Sequence, residues 1–194
     1  ITNIQAENVT GQTITAPSEY IPTTTAAVTK CCSTTNANTV NGTQDITTVG
    51  FQPKGYCLFA NRLGTAGLDV HQLFALGCTD GTTSRSAAIA SVDGAAASGA
   101  NRQWMSTVIT ILNPPGGIAF EAVPSAFLSN GFRINITTTD GVAYLIQYIA
   151  WGGADLTNTK VTEHTFNIGT GNQGYTGVGF VPGFLCLLSA NHTA

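Results

Sequence analysis

From Val49 onward the chain sets short runs of β-branched and aromatic residues between turn-forming pairs, the pattern of antiparallel strands with short connections. The clearest run is Phe132 to Thr138. There Phe132, Ile134 and Ile136 alternate with Arg133, Asn135 and Thr137, a period of two that gives one buried and one wet face. The same reading predicts strands over 55–60, 72–77, 86–92, 104–112, 117–123 and 143–151. In the last of these nearly every position from Ala143 to Trp151 is apolar, which predicts a strand covered on both faces and stopped by Gly152-Gly153. Asp80-Gly81, Asp93-Gly94, Asn130-Gly131, Asp140-Gly141 and the Pro114-Pro115-Gly116-Gly117 tract separate the runs. Asp-Gly and Asn-Gly pairs tolerate the positive φ that tight turns demand. No run has the period of an amphipathic helix.

Residues 1–47 have a different texture. They are rich in Thr, Asn and Gln, alternate little outside 9–14, and are broken by Pro17 and Pro22. They read as an extended N-terminal arm with short strands, or as a surface loop of the main domain. The expected fold is therefore all-β: an antiparallel β-sandwich of jelly-roll or lectin-like type over 48–156, preceded by the arm.

Residues 157–194 repeat part of what precedes them. Val49-Gly50-Phe51-Gln52-Pro53 followed by Cys57-Leu58 returns as Val178-Gly179-Phe180-Val181-Pro182 followed by Cys186-Leu187, at a constant offset of 129 residues. Gly42 and Gln44 match Gly171 and Gln173 at the same offset. A period this long is that of a domain, not of a solenoid repeat. Two readings stay open. Either 152–160 is a joint and a second copy begins after it, with the chain continuing past Ala194, or the two segments are symmetric closing strands of one sandwich. A chain that begins without Met is also what processing or excision from a longer protein would leave.

Composition narrows the function. Charged residues are 9% of the chain, against roughly 25% in an ordinary domain, while 43% is hydrophobic, enough for a packed core. Seven Lys and Arg residues, scattered singly in a chain of net charge -3, give no basic footprint for nucleic acid. No apolar run reaches the roughly 20 residues of a membrane-spanning helix. The five cysteines lack zinc-ligand spacing, so no metal or other cofactor is expected. Cys57 and Cys78 lie in apolar runs and read as small buried hydrophobes. The adjacent Cys31 and Cys32 are candidates for an inter-chain disulfide.

From Thr48 to Leu156 the sequence resembles β-sandwich modules of virion structural proteins of tailed bacteriophages. The residues that carry this are Val49 to Pro53 before an apolar strand, Asp80-Gly81-Thr82-Thr83, Ser91-Val92-Asp93-Gly94, Phe127 to Phe132 before an alternating strand, and Tyr148 to Gly153. The resemblance implies a lectin-like or jelly-roll sandwich serving as capsid decoration, head fibre or tail-associated protein, as a homo-oligomer and without catalytic residues. The Cys31-Cys32 pair departs from that pattern.

Candidate chemistry is sparse. His71 beside Asp69 has no nucleophile elbow with it and reads as a loop histidine. Glu121 stands in an apolar run, expected to point outward or to pair with Arg133. A sugar platform would need an aromatic ring beside polar side chains. Trp104 with Asn101 and Arg102 supplies these, and so does Trp151 with Asp155, although Trp151 reads as core. Four N-x-T sequons, at Asn8, Asn41, Asn135 and Asn191, matter only on a secretory route.

The sequence thus leads to the expectation of a non-enzymatic virion structural protein. It would self-assemble, as a trimer, with other virion proteins as partners, at the virion surface or outside the cell. A carbohydrate-binding adhesin that takes surface glycans is the alternative, and a unit of a bacterial extracellular filament a third.

Overall fold

Phe132, Ile134 and Ile136 are buried while Arg133 and Asn135 stay half exposed, so the period of two is realised as a strand with one face in the core. The computed structural model describes residues 27–61, 72–94, 100–113, 117–165 and 169–187. Ten strands are found among them: β1 Val28–Asn36, β2 Gly42–Ile46, β3 Pro53–Ala60, β4 Gln72–Thr79, β5 Ser84–Ser91, β6 Ala100–Met105, β7 Ile109–Asn113, β8 Gly117–Leu128, β9 Gly131–Thr139 and β10 Leu145–Gly152. They form two antiparallel sheets in the orders β1-β10-β3-β4-β5-β6 and β2-β9-β8-β7, packed as a β-sandwich. The first three strands and the last two alternate between sheets, whereas β3–β6 and β7–β9 are meanders.

The core lies between the sheets and is organised by aromatic rings. Tyr56 of β3 stacks on Phe132 of β9, with centroids 3.9 Å apart, and Phe127 and Tyr148 meet this pair edge-on. Such rings bury large apolar areas at fixed geometry. The Tyr148 hydroxyl shares a 2.7 Å hydrogen bond with Thr48 Oγ1. The Tyr56 hydroxyl is buried with no hydrogen-bond partner, and burial pushes it well above the ordinary phenol range.

Several expectations are corrected. The run 104–112 is two strands in two sheets. β6 ends at Met105, residues 106–108 cross between sheets, and β7 begins at Ile109. The crossing runs over Gly77, where a Cβ would collide with the Val108 carbonyl and sit 2.6 Å from the Ser86 Cβ. Ser86, Thr107 and Thr110 are buried in this crossing and share hydroxyl hydrogen bonds, with Thr107 Oγ1 2.7 Å from each of the other two. Those bonds satisfy polar groups that would otherwise be costly to bury.

β10 is covered on one face, not two. Ile146, Tyr148 and Ala150 face the core, and Ile149 and Trp151 lie half exposed on the outside. The described part of 1–47 contributes edge strands to both sheets: β1 pairs with β10 and β2 with β9. Residues 1–26 lie outside the described residues. Gly81, Gly94 and Gly141 take the positive φ expected of turn glycines. Gly131 does not. It is small because the Ile46 carbonyl of β2 passes where its Cβ would be.

Candidate functional site

The outer face of the six-stranded sheet carries Phe59, Phe74, Trp104 and Trp151, aromatic residues outside the core. Residues of one parity in β3, β4 and β5 fill the core, so those between them point outward. The pairing registers then line up Trp104 with Ala87, Ala87 with Leu76, and Leu76 with Phe59 across four strands. Beside this row Phe74 of β4 stands opposite Ile89 of β5, 47% and 38% exposed. The result is an apolar band, with Trp104 on the edge strand β6 at one end.

The band gathers some of the candidate ligand residues and separates others. Trp104 is half exposed and belongs to it. Asn101 and Arg102 sit on the same strand, opposite Ala90 and Ile89, and their side chains lie outside the described part of the structure. Trp151 is on β10, four strands away, about 19 Å at roughly 4.8 Å per strand. Its ring is not core. It covers Gly55 from outside, with the indole nitrogen 2.6 Å from where a Cβ would stand. Asp155 is exposed just beyond β10. Trp104 and Trp151 therefore do not form one platform. Phe59, Phe74, Leu76 and Ile89 were not singled out from the sequence, because β4 and β5 are apolar on both faces and alternation gives no warning of an outer band.

Next to the band lies a covalent link. Cys57 and Cys78 face each other across the β3–β4 pairing and are joined by a disulfide, which corrects their reading as buried thiols. Their pairing depends on register, since two cysteines 21 residues apart become opposed only when the hairpin forms. Cys31 and Cys32 fall within an irregularity between Lys30 and Ser33 in the edge strand β1, and Cys31 is exposed. A bulge there can re-aim side chains away from the sheet. The Cys32 side chain lies outside the described part.

Residues 156–163 then run back against this sheet. Lys54 Nζ donates to the Leu156 carbonyl at 2.6 Å, Thr159 Oγ1 donates to the Lys54 carbonyl at 2.9 Å, and the Val161 amide donates to Asp80 Oδ2 at 2.8 Å. Arg85 closes the run with a 2.8 Å ion pair to Glu163. Asp80 meanwhile accepts from the Thr82 and Thr83 amides, so one turn carboxylate both shapes the β4–β5 hairpin and anchors the segment.

The other candidate chemistry is dispersed. Glu121 pairs with hydroxyls, Thr110 at 3.5 Å and Thr137 at 3.3 Å, and Arg133 takes Asp45 instead, its Nη2 donating to Oδ2 at 2.8 Å. His71 and Asp69 lie outside the described residues. Among the described residues no three His, Cys, Asp or Glu side chains group as metal ligands, and no helix is long and apolar enough to cross a membrane. No family model, curated protein or solved structure matches this chain.

Proposed function

We propose that the chain is a non-enzymatic structural module of a virus particle, a capsid-decorating or tail-associated surface protein that packs against copies of itself and other virion proteins. The observation that carries this reading is the apolar band on the outer sheet face, on a chain with 9% charged residues. Exposed large apolar side chains in register are a feature of surfaces that are covered in the working assembly. A weakly charged, Thr- and Asn-rich remainder suits broad, wet contacts. The Cys57–Cys78 disulfide supports a place at a virion surface or outside the cell, where disulfides persist. An inter-chain link through Cys31 or Cys32 belongs to the same reading.

The test is the assembly state of the purified protein by sedimentation and non-reducing electrophoresis. A trimer that falls apart in a Phe74→Asp, Ile89→Asp double variant supports the proposal, and a wild-type monomer at high concentration overturns it. The position of Trp104 at the open edge favours a second reading, a glycan-binding adhesin. Binding on a glycan array that disappears in Trp104→Ala would replace the first reading with that one.

A further inference from the structure

Residues 171–187 carry apolar side chains that the sandwich does not cover. Val181, Phe184, Leu185 and Leu187 are 95%, 86%, 61% and 58% exposed, and no strand is formed in this stretch. At the 129-residue offset, Leu185 and Leu187 correspond to Tyr56 and Leu58, which are 0% and 1% exposed in the core. Pro182 and Val178 likewise correspond to the buried Pro53 and Val49.

The backbone repeats as well as the letters. Gly171 has φ 126° where Gly42 has 129°, and Gly179 has φ 85° where Gly50 has 86°. These are conformations that residues with a Cβ rarely adopt. In the sandwich, Gly50 donates its amide to the Asn130 carbonyl and turns the chain so that Phe51 packs against the core over Gly152. In 171–187 the same two glycine conformations recur with no sheet formed around them.

We infer that residues 171–187 are the β2–β3 passage of a second sandwich on the same plan, whose remaining strands lie C-terminal to Ala194 in the same chain. Topology selects that occupant. β3 is an interior strand, hydrogen-bonded to β10 on one side and β4 on the other. A second copy of the described sandwich already fills that place with its own Pro53–Ala60, so it offers 182–187 no vacancy. A sandwich that begins with this segment does. Its details differ where the letters differ. Phe184 stands at the position of Gly55, whose space Trp151 occupies, so the second unit needs a smaller residue in place of that tryptophan.

The inference is tested on the protein from its native source, by intact mass under denaturing, reducing conditions and by hydrogen exchange read by peptide. The expected result is a chain heavier than 20.0 kDa in which the amides of 182–187 exchange as slowly as those of 53–58. A chain of 20.0 kDa overturns it; if 182–187 are nevertheless protected and lose protection on dilution, the cover is a second copy. A heavier chain with fast exchange at 182–187 also overturns it. In the heavier chain, Leu187→Asp should abolish the protection of 182–187 and leave that of 53–58 unchanged.

Discussion

Residues 49–58 and 178–187 share Val, Gly, Phe, Pro, Cys and Leu at matching positions, and they stand in opposite surroundings. In the first, Tyr56 and Leu58 are sealed between two sheets, Cys57 is bonded to Cys78, and both edges of the strand are paired. In the second, the corresponding Leu185, Cys186 and Leu187 are exposed and no strand forms. The glycine conformations agree in both places. Turn geometry is thus set by a few neighbouring residues, whereas a strand becomes a strand only when neighbours on both sides satisfy its amides and carbonyls.

The largest contrast is expected at the paired leucines Leu58 and Leu187. Leu58→Ala should lower the unfolding free energy of the sandwich by about 2–5 kcal/mol, because it opens a cavity in a packed core that relaxes only partly around it. Leu187→Ala in the 194-residue chain should stay within about 0.5 kcal/mol of the parent. Denaturant unfolding of the two variants side by side reads the difference, and equal effects would mean that 178–187 is already packed.

The cysteines give the next largest contrast. Cys57→Ser removes a cross-link that closes a loop with its ends 21 residues apart, and should cost about 3 kcal/mol by restoring the freedom of the unfolded chain. Cys186→Ser should not move the denaturation midpoint. A wild-type midpoint unchanged by a thiol reductant would show that the link does not hold the β3–β4 hairpin.

A smaller change of opposite sign is expected at Tyr56. Its buried hydroxyl has no partner, and the corresponding residue in the second segment is Leu185, which has no hydroxyl to bury. Tyr56→Phe should therefore stabilise the sandwich by about 1 kcal/mol. A loss of stability would reveal a hydrogen bond to that oxygen.

The smallest effect belongs to a feature with no counterpart. Asp45 is held below the ordinary carboxylate range by its hydrogen bonds from Arg133, the residue directly opposite it on β9, while position 174 is glycine. A carboxyl with a lowered folded value contributes stability above its unfolded value, and loses it as the pH falls through the lowered one. The melting-temperature gap between wild type and Asp45→Asn should be small at pH 7, should shrink below about pH 4, and should narrow with added salt because both groups are exposed. A gap that persists at pH 2 would assign the effect to something other than the ion pair.

Much of the architecture was legible. The runs around 55–60, 72–77, 86–92, 117–123, 132–138 and 143–151 each fall in an observed strand or overrun it by at most two residues, because half-buried strands impose a period of two or a β-branched run that a sequence displays directly. β1 and β2 were harder to see. They are edge strands with mostly exposed side chains, so Thr, Ser and Asn suffice and no apolar alternation is required. The site was less legible than the fold. Trp104 was found as an aromatic residue near polar ones, but its neighbours Leu76 and Phe59 join it through the registers of three strand pairings, none of which is a local property.

Local sequence suffices for the all-β class, the positions of most strands, the turns at Gly81, Gly94 and Gly141, and the 129-residue echo, since each of these rests on residues within a few positions of one another or on literal repetition. The rest comes from the packing of strands distant in the chain. That packing divides 104–112 between two sheets at the crossing over Gly77, sets Cys57 against Cys78, turns Trp151 outward onto Gly55, and gathers an apolar band from four strands. The physical reason is common to all four. Each depends on which strand lies beside which and in what register, and that is fixed by the joint packing of residues far apart in the chain.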